Sequence, residues 1–478
     1  MRKALVIVML ALCAAAALPA AFGEDGDTDK KFQITGDIRT RWERLDNYFD
    51  LQDSKDTIPG SDDAFSFFPY RIRLGVHGEL ADNVQAVLEL QNFGSWGNQS
   101  PNQSFGFPPF QNFDGDGQSS GFRSSETSIY QAIIKLNNIG GSPVSVSIGR
   151  QESAFGTGLI LGNEDYYNGT VYDGVHATWD LHSWQLSGMY YQISERNDFA
   201  NNSFSGFSAD DQTLFGFVAS FHPELGKMKT HLDGYLFNED ERLETQGRPN
   251  FWTLGGHWWR TADTKADVDD SPIDWNLEVA IQDGNGTDPT NGEDFDLGGM
   301  ILEASIGWNF ASEKHHQRVH AGAIYESGDD DVTDNDLHGW NRLFPQLHGR
   351  YGDVDFMSSI SFGPFAGVPS GIWAPSIGYS IDCRDGRHKF YTNLYVFKPV
   401  EDSIRISSTE KFKVKDFGKE IDAYYDYAYS KHVTLSAGVG YFKPDSEFGD
   451  LLGNVDPNTG DPSDDPVTRV TAGARVRF

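Results

Sequence analysis

The stretch TRVTAGARVRF, residues 468–478, decides the fold. Val470, Ala472, Ala474, Val476 and Phe478 fall on one side of an extended chain, and Thr471, Gly473, Arg475 and Arg477 on the other. Successive side chains of a strand point to opposite faces, so this period of two makes one face apolar and the other polar and cationic. In a bilayer such a strand turns its apolar face to lipid and its polar face to a wet interior. A strand of a secreted sandwich alternates in the same way, but it rarely ends its chain on an aromatic such as Phe478.

Working outward from that stretch, the same reading finds strands near 32–44, 70–80, 83–93, 129–137, 143–151, 171–181, 183–194, 212–222, 229–238, 250–262, 272–282, 297–310, 317–327, 354–363, 373–383, 387–399, 419–430, 432–443 and 468–478. That set is odd in number, whereas bacterial single-chain barrels are even. With both termini periplasmic, connections alternate long outside and short inside, and the phase holds along the chain only if 354–363 belongs to a long outer loop. The expectation is all-β: a single transmembrane antiparallel β-barrel of about 18 strands, with about 25 residues for each strand and its connection.

Composition agrees. Aromatics reach 13% with 34 Phe, 19 Tyr and 11 Trp, a strand-favouring profile. Arg2 and Lys3, an apolar run from Ala4 to Pro19 and small residues before Glu24 read as a signal peptide over 1–23, leaving 24–478 as the barrel. Leu12 before Cys13 argues against lipoprotein processing, and Cys383 alone in the mature chain excludes an internal disulfide. A formal charge of −32 argues against nucleic acid, whose phosphates demand a cationic face.

That charge does not describe the interior. In GDIRTRWERL the parity puts Asp37, Arg39, Arg41 and Glu43 inside, and in PYRIRLGVHGEL it puts Arg71, Arg73, His77 and Glu79 inside. Arg475 and Arg477 of the closing strand come beside the first, so six arginines line one wall, extended by Lys135. The acidic excess sits in the outer loops 45–69 and 444–467. A cationic wall in a low-dielectric tube concentrates anions. The competing reading is that these arginines only pair with Asp37, Glu43, Glu79 and Glu89 across strands.

Several runs carry a resemblance. SIYQAIIKLNNIGGSPVSVSIGRQESAFGTGLILGN, YNGTVYDGVHAT, YESGDD, DLHGWNRLFPQLHGRYGDVDFM and GKEIDAYYDYAYSKHVTLSAGVGYFKP, in that order, resemble the alginate-export family of outer-membrane barrels. The resemblance covers most of the mature chain and implies a monomeric channel of eighteen strands that passes an anionic uronic-acid polymer through an arginine-rich lumen gated by loops. Small anionic solutes are the alternative cargo. It also implies a Gram-negative outer membrane, with lipid and lipopolysaccharide around the barrel. Phe478 resembles the signal read by the barrel-assembly machinery. By resemblance Arg150 in GRQE belongs to the lumen, yet parity places it with Val144, Val146 and Ile148. Either Gly149 marks a bulge that turns it inward, or it lies at the rim. Loops 94–128 and 328–372 are the candidate gates.

No nucleophile elbow, phosphate loop or zinc-protease motif appears, so neither an enzyme nor a cofactor is expected. His315, His316 and His320 lie on a strand start, too far apart to chelate one metal, and read as a solvated periplasmic turn. The runs Asp329-Asp330-Asp331 and Asp283, Asn285 and Asp288 resemble calcium loops only loosely and read as solvated anionic surface. Trp252, Trp258, Trp259, Tyr424 and Tyr425 read as interfacial girdles, with sugar stacking as the alternative.

Overall fold

The computed structural model describes residues 32–48, 51, 64–96, 127–196, 210–222, 224–225, 228–241, 249–261, 272–287, 292–331, 334–360, 362, 368–383, 385–401, 414–452 and 464–478. The signal region, the centre of the 94–128 loop and most of the two acidic outer loops lie outside these residues.

Eighteen antiparallel strands close into one barrel. They are β1 (Phe32–Asp46), β2 (Phe65–Ala81), β3 (Val84–Trp96), β4 (Thr127–Leu136), β5 (Val144–Gln151), β6 (Tyr172–Leu181), β7 (Trp184–Arg196), β8 (Asp210–Phe221), β9 (His231–Glu241), β10 (Asn250–Arg260), β11 (Ile273–Thr287), β12 (Asp294–Ala311), β13 (His315–Glu326), β14 (Ile372–Cys383), β15 (His388–Phe397), β16 (Gly418–Ala428), β17 (Val433–Pro444) and β18 (Val467–Arg477). Each pairs with its sequence neighbours, and β18 closes the ring on β1 with Ile38 opposite Val476 and Arg39 opposite Arg475. Closure removes the unpaired edges that an open sheet would expose to lipid. Asp336–Leu337 adds a short parallel pairing to β12.

The outer face is what alternation predicts for lipid. Phe217, Leu254, Ile281, Ile306 and Ile377 each expose half or more of their surface, an arrangement that water would penalise and hydrocarbon does not. The buried apolar residues come largely from inside the ring, where two long outer connections, 152–171 and the described residues of 327–371, fold inward. Leu159, Ile160 and Leu161 pack with Trp340, Leu343, Phe344, Phe237 and Phe251. Tyr167 packs with Val354, Phe356, Met357 and Phe442. The segment 354–363 that parity could have counted as a strand contributes instead a four-residue helix, Phe356–Ser359, to the second of these loops.

The two inward loops are joined by main-chain hydrogen bonds. Gly162 N–H donates to Phe344 O at 2.7 Å, Phe344 N–H to Ile160 O at 3.0 Å and Gln346 N–H to Gly158 O at 2.7 Å. Glu164 adds a carboxylate clasp, accepting from the N–H of Leu347 at 2.6 Å. Burial pushes the Glu164 carboxyl up to about 7 although that N–H favours its charged form.

Candidate functional site

Register assembles the arginine wall. Arg39 lies opposite Arg71 on β2 and Arg475 on β18, while Asp37 lies opposite Arg73 and Arg477. Directly opposed residues share a face, so Arg39, Arg41, Arg71, Arg73, Arg475 and Arg477 line one side of the lumen. The first four are nevertheless buried, Arg71 to 1% exposure, because residues 163–169 of the first inward loop lie across them.

The covering segment meets the guanidinium groups mostly with carbonyl oxygens. Arg39 donates to Asp165 O at 2.8 Å and to Tyr167 O at 2.5 Å. Arg41 donates to Tyr166 O at 2.7 Å, and Arg73 to Asn168 O at 2.9 Å. One loop carboxylate concentrates the charge: Asp165 Oδ1 accepts from Arg71 at 2.8 Å and Arg73 at 2.9 Å, and Arg475 Nη2 lies 3.4 Å from its Oδ2. Burial opposes its ionisation, but Arg71, with Arg73 and Arg475 beside it, holds the Asp165 carboxyl well below the usual range. Arg475 also pairs with Asp37, and Arg477, the most exposed of the six, reaches Asp37 at 3.8 Å.

Sequence reasoning passed over two participants. Arg469 shares the parity of Arg475 and was legible in the same eleven residues; it is almost fully buried, donating to Glu43 at 2.6 Å and to Asp355. Tyr166 was hidden in a loop. Its ring lies 3.9 Å from the Arg41 guanidinium, and the His348 ring stacks on it from the other inward loop. The signal available was the glycine-rich, apolar run FGTGLILGN at 155–163, an unusual composition for a solvated loop.

Lys135 faces the lumen on β4, opposite Gln85 and Ser147, and is exposed there. Arg150 does not face it. Gly149 adopts φ +123, yet Ser147 and Gln151 keep one inward face, joined by a 2.5 Å hydrogen bond. Arg150 therefore stays with Ile148 on the outside, paired twice with Asp173, and the inward-turning bulge is not formed. The expected solvated turn at the histidines also needs correction: His316 and His320 share the inward parity of Arg318, which binds Asp274 on the wall facing the arginines. Asp329 is buried rather than solvated, near Asp330 and His338. The aromatics divide, with Trp252, Trp258 and Tyr425 outside and Trp259 and Tyr424 inside.

Below the inward loops the wall opens into a cavity of about 510 Å³ on the periplasmic side. Arg39, Arg41, Arg475 and Arg477 line it with Lys431 and His432 of the β16–β17 turn, against one carboxylate, Asp426. A second cavity of about 590 Å³, on the facing wall, mixes Arg260 and Arg318 with Asp274, Glu303 and Asp382.

Comparison with known proteins fixes the family, because the Alginate export family model matches residues 48–462. The chain belongs to the alginate-export family. No curated protein matches this member by sequence. Among solved structures it is similar to Pseudomonas aeruginosa OpdK, crystallised with vanillate, at TM-score 0.54 and 10% identity over 93% of this chain and 98% of that one. Acinetobacter baumannii OccAB3 superposes at TM-score 0.54 with 12% identity, over 94% of this chain and 100% of that one. At such identities the likeness shows the fold. Family and fold together make the chain a β-barrel channel of the Gram-negative outer membrane.

Proposed function

We propose that this alginate-export member conducts an anionic oligosaccharide or polysaccharide, which enters from the periplasm along Arg39, Arg41, Arg475 and Arg477. The carrying observation is the lining of the periplasmic cavity, where Arg39, Arg41, Arg475, Arg477, Lys431 and His432 stand with Asp426 as the one lining carboxylate, an excess of cations that remains after Asp37 pairs with Arg475 and Arg477 and Glu43 with Arg41. A low-dielectric enclosure with one sign of charge raises the local concentration of oppositely charged solute. Transport then needs no covalent step, only attraction to the wall and movement of the inward loops that cover Arg71 and Arg73.

The test is planar-bilayer conductance of the refolded protein in a salt gradient, followed by addition of polymannuronate from either side. Anion selectivity with polymer block, both weakened in Arg475→Glu/Arg477→Glu, supports the polyuronate conduit; cation selectivity of the unmodified channel overturns it. A second reading, a porin for small anions, is favoured by the inward loops that narrow the lumen and by the small carboxylate vanillate in the OpdK structure. It predicts the same selectivity without polymer block.

A further inference from the structure

The turn Gly349–Asp355 of the second inward loop rests on β16 in an arrangement that the arginine wall does not share. Val354 N–H donates to Glu420 Oε1 at 2.8 Å, and Asp353 N–H to Asp422 Oδ2 at 3.1 Å. Gly352, at φ +90, brings the turn so close that a Cβ there would lie 2.1 Å from Glu420 Oε1. Asp353, Asp355, Glu420 and Asp422 are all buried, and each retains one carboxyl oxygen with no donor. Glu420 and Asp422 lie two residues apart on β16, so their side chains share one face of that strand.

The surroundings do not supply the missing charge. From β18 comes Arg469, divided between Glu43 of β1 and Asp355. From the residue before the turn comes His348, whose Nδ1 lies 2.7 Å from Asp355 and whose Nε2 is 3.8 Å from Asp353, while Arg350 of the turn itself is paired with Glu303 of β12. β15 contributes the phenols Tyr391 and Tyr395, β16 adds Tyr424, and the first inward loop adds Tyr166 and Tyr167. β17 presents only Gly440 to Asp422. Asp355 thus holds Arg469 and the nearer nitrogen of His348, leaving Asp353 with only the 3.8 Å His348 contact and Glu420 and Asp422 with no ion pair among the described residues. Like charges this close in a dry site cannot all ionise.

We propose that protonation of the buried carboxyls Asp353, Glu420 and Asp422 docks the 349–355 turn onto β16, so that the second inward loop is held in acid and released as pH rises. In the docked turn, burial first and then the neighbouring carboxylates Asp422 and Asp355 push the Asp353 carboxyl up. A group whose pKa is higher docked than undocked favours docking at low pH, and that contribution is lost as pH rises through the docked value. The device is independent of which solute passes.

The experiment is open probability of the full-length channel in planar bilayers between about pH 5.5 and about pH 8.5, for the unmodified chain and for Glu420→Gln/Asp422→Asn. Open probability of the unmodified channel rises several-fold across that range, while the amide variant, whose donors cannot titrate, stays closed throughout. A flat profile in the unmodified channel, or an unchanged rise in the variant, overturns the proposal. If the variant does not fold, amide hydrogen exchange of the unmodified chain decides: protection of Asp353 and Val354, corrected for intrinsic rates, falls tenfold or more toward high pH. Constant protection there also overturns it.

Discussion

Where the first inward loop meets β18, β1 and β2, the loop brings the carboxylate and the wall brings the cations: Asp165 sits among Arg71, Arg73 and Arg475. Where the second meets β16, the wall brings the carboxyls Glu420 and Asp422, and the loop brings two main-chain N–H groups together with a further carboxyl, Asp353. Both contacts hold a loop inside the same barrel, yet the first needs an ionised acid and the second a protonated one. The difference teaches that inward packing of a loop fixes geometry, whereas the charge facing it fixes the pH at which it lets go.

The largest expected effect comes from removing a carboxylate on the arginine side altogether. Glu43→Ala leaves Arg41 and Arg469 buried without their shared partner, and losing one side of a buried pair costs about 3–5 kcal/mol. Urea unfolding in detergent should show a clearly lowered midpoint; an unchanged midpoint would mean that water already reaches these guanidiniums.

Next comes Asp165→Asn, which strips the loop of its charge while keeping its shape. Anion over cation permeability at neutral pH should rise a few-fold as Arg71, Arg73 and Arg475 lose their counter-charge. The unmodified channel should approach that behaviour only in acid. Because the latch lowers the Asp165 pKa, its contribution is present above the ordinary carboxylate value of about 3.9 and is lost as pH falls below it. Equal selectivity in the two proteins would separate the loop from the conduction path.

A smaller loss is expected from Tyr166→Leu, which removes the ring over Arg41 and beside His348, about 0.5–2 kcal/mol. It should loosen both loops together, seen as faster exchange of Tyr167 and Val354 amides. Arg150→Ala should do least, under about 1 kcal/mol, since its pair with Asp173 is exposed on the outside. A change in ion selectivity from that substitution would contradict its outward placement.

The barrel was legible in the sequence because alternation is a local property: a strand such as 468–478 declares its two faces without reference to its neighbours. The arginine stripe followed for the same reason, and counting parity one step further would have added Arg469. What covers the stripe was not legible. That Asp165 lies on Arg71 depends on where a loop of twenty residues lands, and nothing in the period of a strand encodes that. Gly149 illustrates the limit from the other side: its left-handed φ was foreseeable as a distortion, but Arg150 kept its side because the inward face resumes at Gln151.

The main-chain bonds between Ile160, Gly162 and Phe344 carry a consequence for the current this channel would pass. Loops tied backbone to backbone share one fate, since neither can swing away until the common ladder breaks. Opening should therefore register as a single abrupt step with one class of dwell times, not as two independent flickers superimposed, and whichever anchor fails first will set the rhythm for both.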